Sequence, residues 1–415
     1  MITREYLKLS YKYAYKKYPL GKIRTIFADN WERYRKENKV RAVENENVLR
    51  MLSCRTPLLG SHLYICPDCG HSLEVPHTCK SRFCSVCGYI ATANWIRDRF
   101  NFLLDCHYHH VVVTIPAYFR WIVRLDRTLV LNMFARVAAD TLLKWGEERK
   151  YRLGIICFFH AFNKKMQDHP HFHFLVSAGG VGEDARWHYD DSEIPGHVLM
   201  KVFKGKFVSR LKKLFKKEKL KTNGNLHRVL YQISHQHDKH WQFHTQRITK
   251  EGTHTMEYCA RYGKKTIISE LRIINYDKKT VTFFDGKMKN VLDYPVDIFI
   301  KMAINSIPEK NFRLIRYYGF YSNKQKEEYA IAKKYWRALA QHNGRMSWQL
   351  RQMLRNYNDK NYSEAVSKDP LICPKCGIQL KLSKITYPEP KYKRTLENIL
   401  IILDMPVTQK LIDTG

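Results

Sequence analysis

The 415 residues are 44% hydrophobic, enough to build a packed core in two or three domains. Lys and Arg number 72 against 39 Asp and Glu, and the resulting formal charge of +33 opposes compaction unless a polyanion answers it, as phosphates do by releasing condensed counterions. The longest apolar runs, from Val111 to Ile115 and from Ile399 to Leu403, are too short to cross a bilayer, and no secretory segment is visible. An intracellular location without a membrane partner is therefore expected, with the eleven cysteines reduced and the clustered ones reading as metal ligands.

The first fifty residues are basic and aromatic, with helical spacing at Trp31 and Tyr34 and at Val48, Leu49 and Leu52. A cysteine block runs from Cys54 to Cys87. The β-branched run from Tyr108 to Ile115 predicts a buried strand, and Trp121 to Trp145 has helical periodicity. Strands are predicted from Leu153 to Phe162 and from His171 to Ser177, separated by the polar loop Asn163 to Asp168. Val202 to Leu220 reads as a basic amphipathic helix. A strand from Trp241 to Gln246 and a short helix from His254 to Tyr262 follow. Ile267 to Tyr276 and Thr280 to Phe284 look like a closing hairpin, and the last hundred residues read as helical and basic. Antiparallel-looking strands mixed with helices predict an α+β class. The expected division is 1–95 for a helical and zinc-binding domain, 96–305 for the central domain and 306–415 for a basic C-terminal region.

Cys66-x-x-Cys69 and Cys84-x-x-Cys87 are two knuckles that together could present four thiolates tetrahedrally to one structural zinc. Gly70 and Gly88 follow the pairs where a knuckle needs a tight turn. Four thiolates leave no open position, so such a zinc contributes to folding rather than chemistry. Cys54, Cys79, His71 and His77 are candidates for a second site or ordinary packing residues. Cys373-x-x-Cys376 is half a site with no further cysteine or histidine after it, so it borrows ligands or binds no metal.

The segment Asp168-His169-Pro170-His171-Phe172-His173-Phe174 carries the most information. Alternate residues of a strand share a face, so His171 and His173 project together while Phe172 and Phe174 enter a core. If the strands flanking the loop pair with Phe162 opposite His169, then His160 faces His171 and becomes the third ligand of a divalent cation. His169 is the rival third ligand, and a bulge would break the inference. The bland alternative is a solvated strand face that happens to carry histidines.

On the helix expected around Thr253 to Gly263, Tyr258 and Tyr262 lie four residues apart, so both hydroxyls share a face. A phenol is a poor nucleophile at neutral pH, and a metal that polarises the phosphate it attacks would offset this. Arg261, Lys264 and Lys265 stand ready for phosphate contacts. Taken alone, tyrosines at this spacing usually serve packing. The stretch from Lys201 to Lys221, with Lys204, Lys206, Arg210, Lys212 and Lys213, is dense enough in one sign to favour DNA over a merely solvated face.

In order along the chain, Cys54-Arg55-Thr56, the two knuckles, Thr114-Ile115-Pro116, His160, His169-Pro170-His171-Phe172-His173, Phe203-Lys204-Gly205-Lys206-Phe207, Tyr258-Cys259-Ala260-Arg261-Tyr262, Arg316-Tyr317-Tyr318-Gly319 and Cys373-Pro374-Lys375-Cys376-Gly377 resemble the HUH-type rolling-circle transposases of the insertion sequence ninety-one family. The resemblance implies an antiparallel-sheet HUH core flanked by helices, magnesium or manganese on His171 and His173, and a cytoplasmic, nucleoid-associated location in a prokaryote. It implies that Tyr258 or Tyr262 attacks single-stranded DNA at element ends, forming a 5′-phosphotyrosine and freeing a 3′-hydroxyl before joining target DNA. Phe83 departs from the family, which often has a histidine there. A conjugative relaxase or rolling-circle replication initiator would share the chemistry, although no helicase P-loop is present. A zinc-containing nucleic-acid-binding protein without catalysis is the reading from another class.

Overall fold

The computed structural model describes residues 21–88, 91, 95, 102–104, 106–163, 165–190, 192–221, 226–235, 240–248, 268–285, 288–342 and 371–387. Two compact units emerge, and they interleave along the chain. One gathers residues 1–91, 266–307 and 354–415, and the other 92–265 and 308–353. The contiguous division at 95 and 305 expected from the sequence therefore differs from the observed grouping.

The first unit is built on helices Lys22–Glu37 and Ala42–Ser53. Their spacing places Ile26, Phe27, Trp31, Val48 and Leu52 in the interior, as the helical periodicity predicts. The hairpin Ile273–Tyr276 and Thr280–Phe284 forms as expected, extended by Val291–Pro295. It packs with these helices rather than closing the central sheet. Glu270 explains part of the attachment: its carboxylate accepts from the Ile23 backbone N–H at the start of the first helix and from Ser85 Oγ. Arg33 engages Asp297 through two guanidinium nitrogens, and Asn30 reaches the Tyr276 hydroxyl. A second, three-stranded sheet orders Lys381–Thr386, Ser61–Ile65 and Ser72–Pro76. The region around Cys373 is thus a β-hairpin, where a helical C-terminal stretch was expected.

The other unit carries a fully antiparallel sheet. Its long strands run in the order Ile315–Gly319, Tyr151–Phe162, Asp168–Gly182, Tyr108–Thr114 and Gln242–Ile248, and Trp187–His188 pairs with the Asp168–Gly182 strand. The predicted α+β class is observed. Alternation along the strands separates two faces. One buries Val111, Val113, Cys157, Phe159, Phe172 and Phe174 beneath helices Arg127–Glu147 and Gly196–Lys216. Phe134 meets the Phe172 ring edge-on at 4.9 Å, and Phe203 and Phe207 complete the aromatic cluster. The helical periodicity from Trp121 to Trp145 is broken into Arg120–Leu125 and Arg127–Glu147 by Asp126, whose extended backbone and side chain cap the Leu129 N–H. Among the described residues no helix is long and apolar enough to cross a membrane.

Residues 308–342 join this unit through the edge strand Ile315–Gly319. Tyr318 packs into the core and Arg316 donates to Asn132. The Tyr108 and Tyr321 hydroxyls hydrogen-bond to each other in the interior. Gly319 ends the strand at φ +58°, where a Cβ would stand 1.6 Å from the Leu153 carbonyl oxygen. The Arg-Tyr-Tyr-Gly motif is thereby explained as edge-strand architecture. Gly319→Ala should destabilise this unit by about 2 kcal/mol or more, from left-handed strain plus collision with backbone. Urea denaturation measures this, and an unchanged midpoint would contradict the account.

Candidate metal centre

The pairing between Tyr151–Phe162 and Asp168–Gly182 positions the histidines. His160 stands opposite His171, and Phe158 opposite His173. A register shift between His160 and Phe162 sets Phe162 against Asp168 instead of His169, so the expected partner of Phe162 is off by one while that of His160 is as expected. The connecting turn is folded by Asn163, whose side chain accepts from the Lys165 and Gln167 backbone N–H groups. His160, His171 and His173 have ligand nitrogens all within 4.8 Å of one another. His171 and His173 are buried at 8% and 7% exposure, and His160 is half-buried, so the cluster opens on the His160 side.

Hydrogen bonds set the tautomers. The His171 Nδ1–H donates to the His169 carbonyl at 2.7 Å, leaving Nε2 with its lone pair free to ligate. His169 differs. Its Nδ1 lies 3.2 Å from an Arg120 guanidinium nitrogen, which can only donate, so Nδ1 accepts and the ring proton sits on Nε2. With its Nδ1 lone pair taken and its proton on Nε2, His169 stands outside the group formed by His160, His171 and His173. Arg124 holds Asp168 alongside at 2.8 Å.

One residue of this site was not singled out from the sequence. His110, on the adjacent strand, places Nε2 2.8 Å from His173 Nδ1. The rings are nearly coplanar, 1° apart, with centroids at 5.1 Å, so they meet end to end with the hydrogen bond in their common plane. His110 lies opposite Leu175, and Val112 opposite both His173 and His244, so His110 and His244 share the histidine face. The pairing register of Tyr108–Thr114 against the histidine strand is long-range, and no nearby turn fixes it as the 163–167 turn fixes His160.

Burial pushes the His171 imidazole down to about 4, partly countered by its bond to the His169 carbonyl. Burial, reinforced by His244 and His171, likewise brings His110 down to about 4. The His173 imidazole is lowered by burial and by its three histidine neighbours, and His169 by burial and Arg120. Neutral imidazoles are the form a metal requires.

Tyr258, Tyr262, Arg261, Lys264 and Lys265 lie outside the described residues. The basic helix Gly196–Lys216 sits behind the sheet, on the face opposite the histidines, with Phe203, Phe207 and Leu211 inward. Lys204 and Lys206 are partly exposed on it, and Lys212, Lys213 and Lys216 line a shallow surface depression. Arg210 is already engaged by Asp140 at 2.9 Å. Phosphates held by this helix would therefore be separated from the histidines by the thickness of the sheet.

The four cysteines expected around one zinc do not meet. Cys84 and Cys87 join Cys54 and Cys79, all buried, while Cys66 and Cys69 join Cys373 and Cys376. A CxxC pair supplies only half of a tetrahedral set, and spacing along the chain does not choose the other half. Gly88 differs from Gly70: it continues a helical turn instead of taking the left-handed conformation that Gly70 adopts. Neither His71 nor His77 enters a cluster; His77 Nδ1 donates to the Leu59 carbonyl. Phe83, at the position where a histidine was noted as frequent, packs edge-on against Phe27 at 5.3 Å.

Comparison with known proteins agrees with this architecture. A family described as a transposase zinc-binding domain matches residues 26–115, and one described as a putative transposase matches residues 154–328. The transposase for insertion sequence element IS801 of Pseudomonas savastanoi pv. phaseolicola is 30% identical over 318 residues, 73% of this chain and 76% of that one. The chain belongs to the IS91 family of transposases. A putative transposase, y4qJ, of Sinorhizobium fredii is 27% identical over 325 residues, 74% of this chain and 81% of that protein. No solved structure matches. This IS91-family transposase is accordingly a DNA-processing enzyme with an N-terminal domain that binds structural zinc.

The depressed imidazoles make a pH prediction for the metal-free transposase. Their folded pKa values lie below the ordinary value of about 6.5. Below that pH the unfolded chain binds protons that the folded histidines refuse, so stability falls as pH drops from 6.5 towards 4. The urea midpoint should decline between pH 7 and pH 5, above most carboxylate titrations, and decline less in His171→Gln. A midpoint that is flat across that window in the unsubstituted protein would contradict the burial of neutral histidines.

Proposed function

We propose that this transposase nicks and rejoins single-stranded DNA through a 5′-phosphotyrosine, using a divalent cation on His160, His171 and His173. The observation that carries the reading is the three-imidazole cluster, with two ligands from one strand and the third directly opposite on its neighbour. The residues fit a metal: His171 has its Nε2 lone pair exposed by the Nδ1 hydrogen bond, and the ligand atoms converge. Magnesium or manganese held there would polarise the scissile phosphate and stabilise charge developing on it. Three imidazoles without a carboxylate favour manganese of the two, since magnesium prefers oxygen ligands.

The chain's own residues supply the rest. In the proposed transesterification the phenol oxygen of Tyr258 or Tyr262 bonds to phosphorus and the bond from phosphorus to the 3′ oxygen breaks. The phenol proton is lost and the leaving 3′ oxygen gains one, so a free 3′-hydroxyl results. Tyr318 is a poor rival nucleophile: it is packed in the core, and burial raises its phenol. Arg120, beside His169, is placed to hold phosphate on the histidine face, while Lys204, Lys206, Lys212 and Lys213 would bind strand away from it. Arg261, Lys264 and Lys265 remain proposed phosphate contacts next to the nucleophiles. DNA at element ends and at the target is the proposed substrate.

His110 has a positioning role in this scheme. For His173 to ligate through Nε2 its proton must sit on Nδ1 and be donated to His110 Nε2, which fixes His110 as the Nδ1–H tautomer.

The test is incubation of purified protein with a labelled single-stranded oligonucleotide from its own element end, with and without manganese, followed by denaturing electrophoresis. A covalent protein–DNA adduct is expected that needs metal, disappears in His171→Ala and in the Tyr258→Phe/Tyr262→Phe double variant, and is apportioned by the single tyrosine variants. Binding of the cognate strand without adduct or cleavage would favour a non-catalytic nucleic-acid-binding protein. Nicking without joining to target DNA would favour relaxase-like or initiator-like chemistry.

Titrating manganese in the same assay examines His110. His110→Ala should raise the manganese needed for half-maximal cleavage by about 10–100-fold. The saturated rate should fall less, and His110→Gln, which can still accept the hydrogen bond, should recover part of the loss. An unchanged manganese requirement in His110→Ala would remove the positioning role.

A further inference from the structure

The hairpin at Cys373 repeats the one at Cys66 bond for bond, although about three hundred residues separate them. The Cys66 N–H donates to the His71 carbonyl and the Gly70 N–H to the Cys66 carbonyl, at 2.8 and 3.1 Å. The Cys373 N–H donates to the Ile378 carbonyl and the Gly377 N–H to the Cys373 carbonyl, at 2.8 and 2.9 Å, with the same offsets. Gly70 and Gly377 both sit in the left-handed region, at φ +67° and +76°, which glycine adopts without a Cβ penalty. Ile65 pairs with Ser72 just outside the first knuckle, and Ile372 bridges Gln379 just outside the second. Ser61–Ile65 then pairs antiparallel with Lys381–Thr386, so one sheet carries both hairpins.

The sulfurs meet at the centre. Cys66 Sγ lies 3.4 Å from Cys376 Sγ, and Cys69 Sγ lies 3.5 Å from Cys373 Sγ and 3.6 Å from Cys376 Sγ. All four are free cysteines. A tetrahedral zinc–thiolate centre with bonds of about 2.3 Å separates its sulfurs by roughly 3.8 Å, close to this spacing. The first cluster has similar spacing, 3.5 Å between Cys54 and Cys87 and 3.6 Å between Cys79 and Cys87.

We propose that Cys66, Cys69, Cys373 and Cys376 bind a second structural zinc ion, and that the zinc-binding domain of this transposase is a discontinuous one closed by the far end of its sequence. The region matched as the zinc-binding domain, residues 26–115, contains the whole first cluster but only half of the second. On binding, each thiol releases its proton to solvent and the four thiolates surround the ion, leaving no open position. The two ions differ in access. Every cysteine of the first cluster is buried, whereas Cys69 and Cys376 are exposed, so a chelator reaches the second ion first.

Zinc is counted in the full-length chain carrying His171→Ala and His173→Ala, so that the histidine cluster contributes none. Two equivalents are expected, released to a colorimetric chelator in a fast and a slow phase. Adding Cys373→Ser and Cys376→Ser should leave one equivalent and remove the fast phase, while Cys54→Ser and Cys79→Ser should remove the slow one. Zinc X-ray absorption of the parent chain, which needs no cysteine variant to fold, should show four sulfur neighbours per ion. One equivalent in the parent chain, retention of two in the Cys373→Ser/Cys376→Ser protein, or nitrogen in the zinc shell would overturn the proposal.

Discussion

The antiparallel register that sets His160 against His171 is the constraint on which the histidine cluster depends. Because side chains alternate, one register puts three imidazoles on one face and Phe159, Phe172 and Phe174 on the other. A slip of one residue would exchange them, burying histidines among aromatic rings and exposing phenylalanines. The hydrophobic face therefore specifies the histidine face without touching it. The 163–167 turn and the bulge after His160 are the local devices that allow the ligand pair to be exact opposites while the strand end shifts.

The zinc-binding unit works under a different constraint. Its sheets are short, and the strand Lys381–Thr386 is exposed along its whole length. Apolar burial around the second thiol cluster amounts to Leu380 and the sulfurs of Cys66 and Cys373, with Tyr64 and Leu73 partly covered. A core that small supplies little free energy, and metal–thiolate bonds are the usual substitute in such folds. The helices nearby are by contrast conventionally packed, through Phe27, Trp31 and Phe83. With the proposed second zinc, free energy from metal and free energy from packing would serve different parts of one unit.

Local patterns made much of this legible from sequence. The strand around His171, the inward phenylalanines and the His160 partner follow from period-two alternation and a short connection. The basic helix and the hairpin before Phe284 follow from periodicity as well. What escaped is non-local. The pairing of Cys66 and Cys69 with Cys373 and Cys376 is set by a strand contact across the sequence, and two CxxC motifs close in sequence invite the wrong partnership. His110 and Arg120 escaped for the same reason: neither faces the histidines until the first strand is placed against the fifteen-residue strand Asp168–Gly182. The segmental grouping escaped too, because residues 266–307 attach to the first helices through Glu270, Asn30 and Arg33, single polar contacts with no periodic signature.

In the unit that carries the histidines, the basic helix and the histidine cluster lie on opposite faces of the sheet. A net charge of +33 suggests that basic residues surround the reacting phosphate. Yet the densest basic helix lies behind the sheet, about one 10 Å layer or more from the histidines. Exposed lysines there release counterions from whatever phosphate they meet, which gives affinity without sequence or position. Among the described residues the histidine face carries neutral imidazoles, Arg120 against His169, and Arg124 against Asp168. Burial, joined by Arg120 in the case of His169, keeps these imidazoles neutral. The proposed ligand set and the basic helix thus share the phenylalanine layer between them but not their charges.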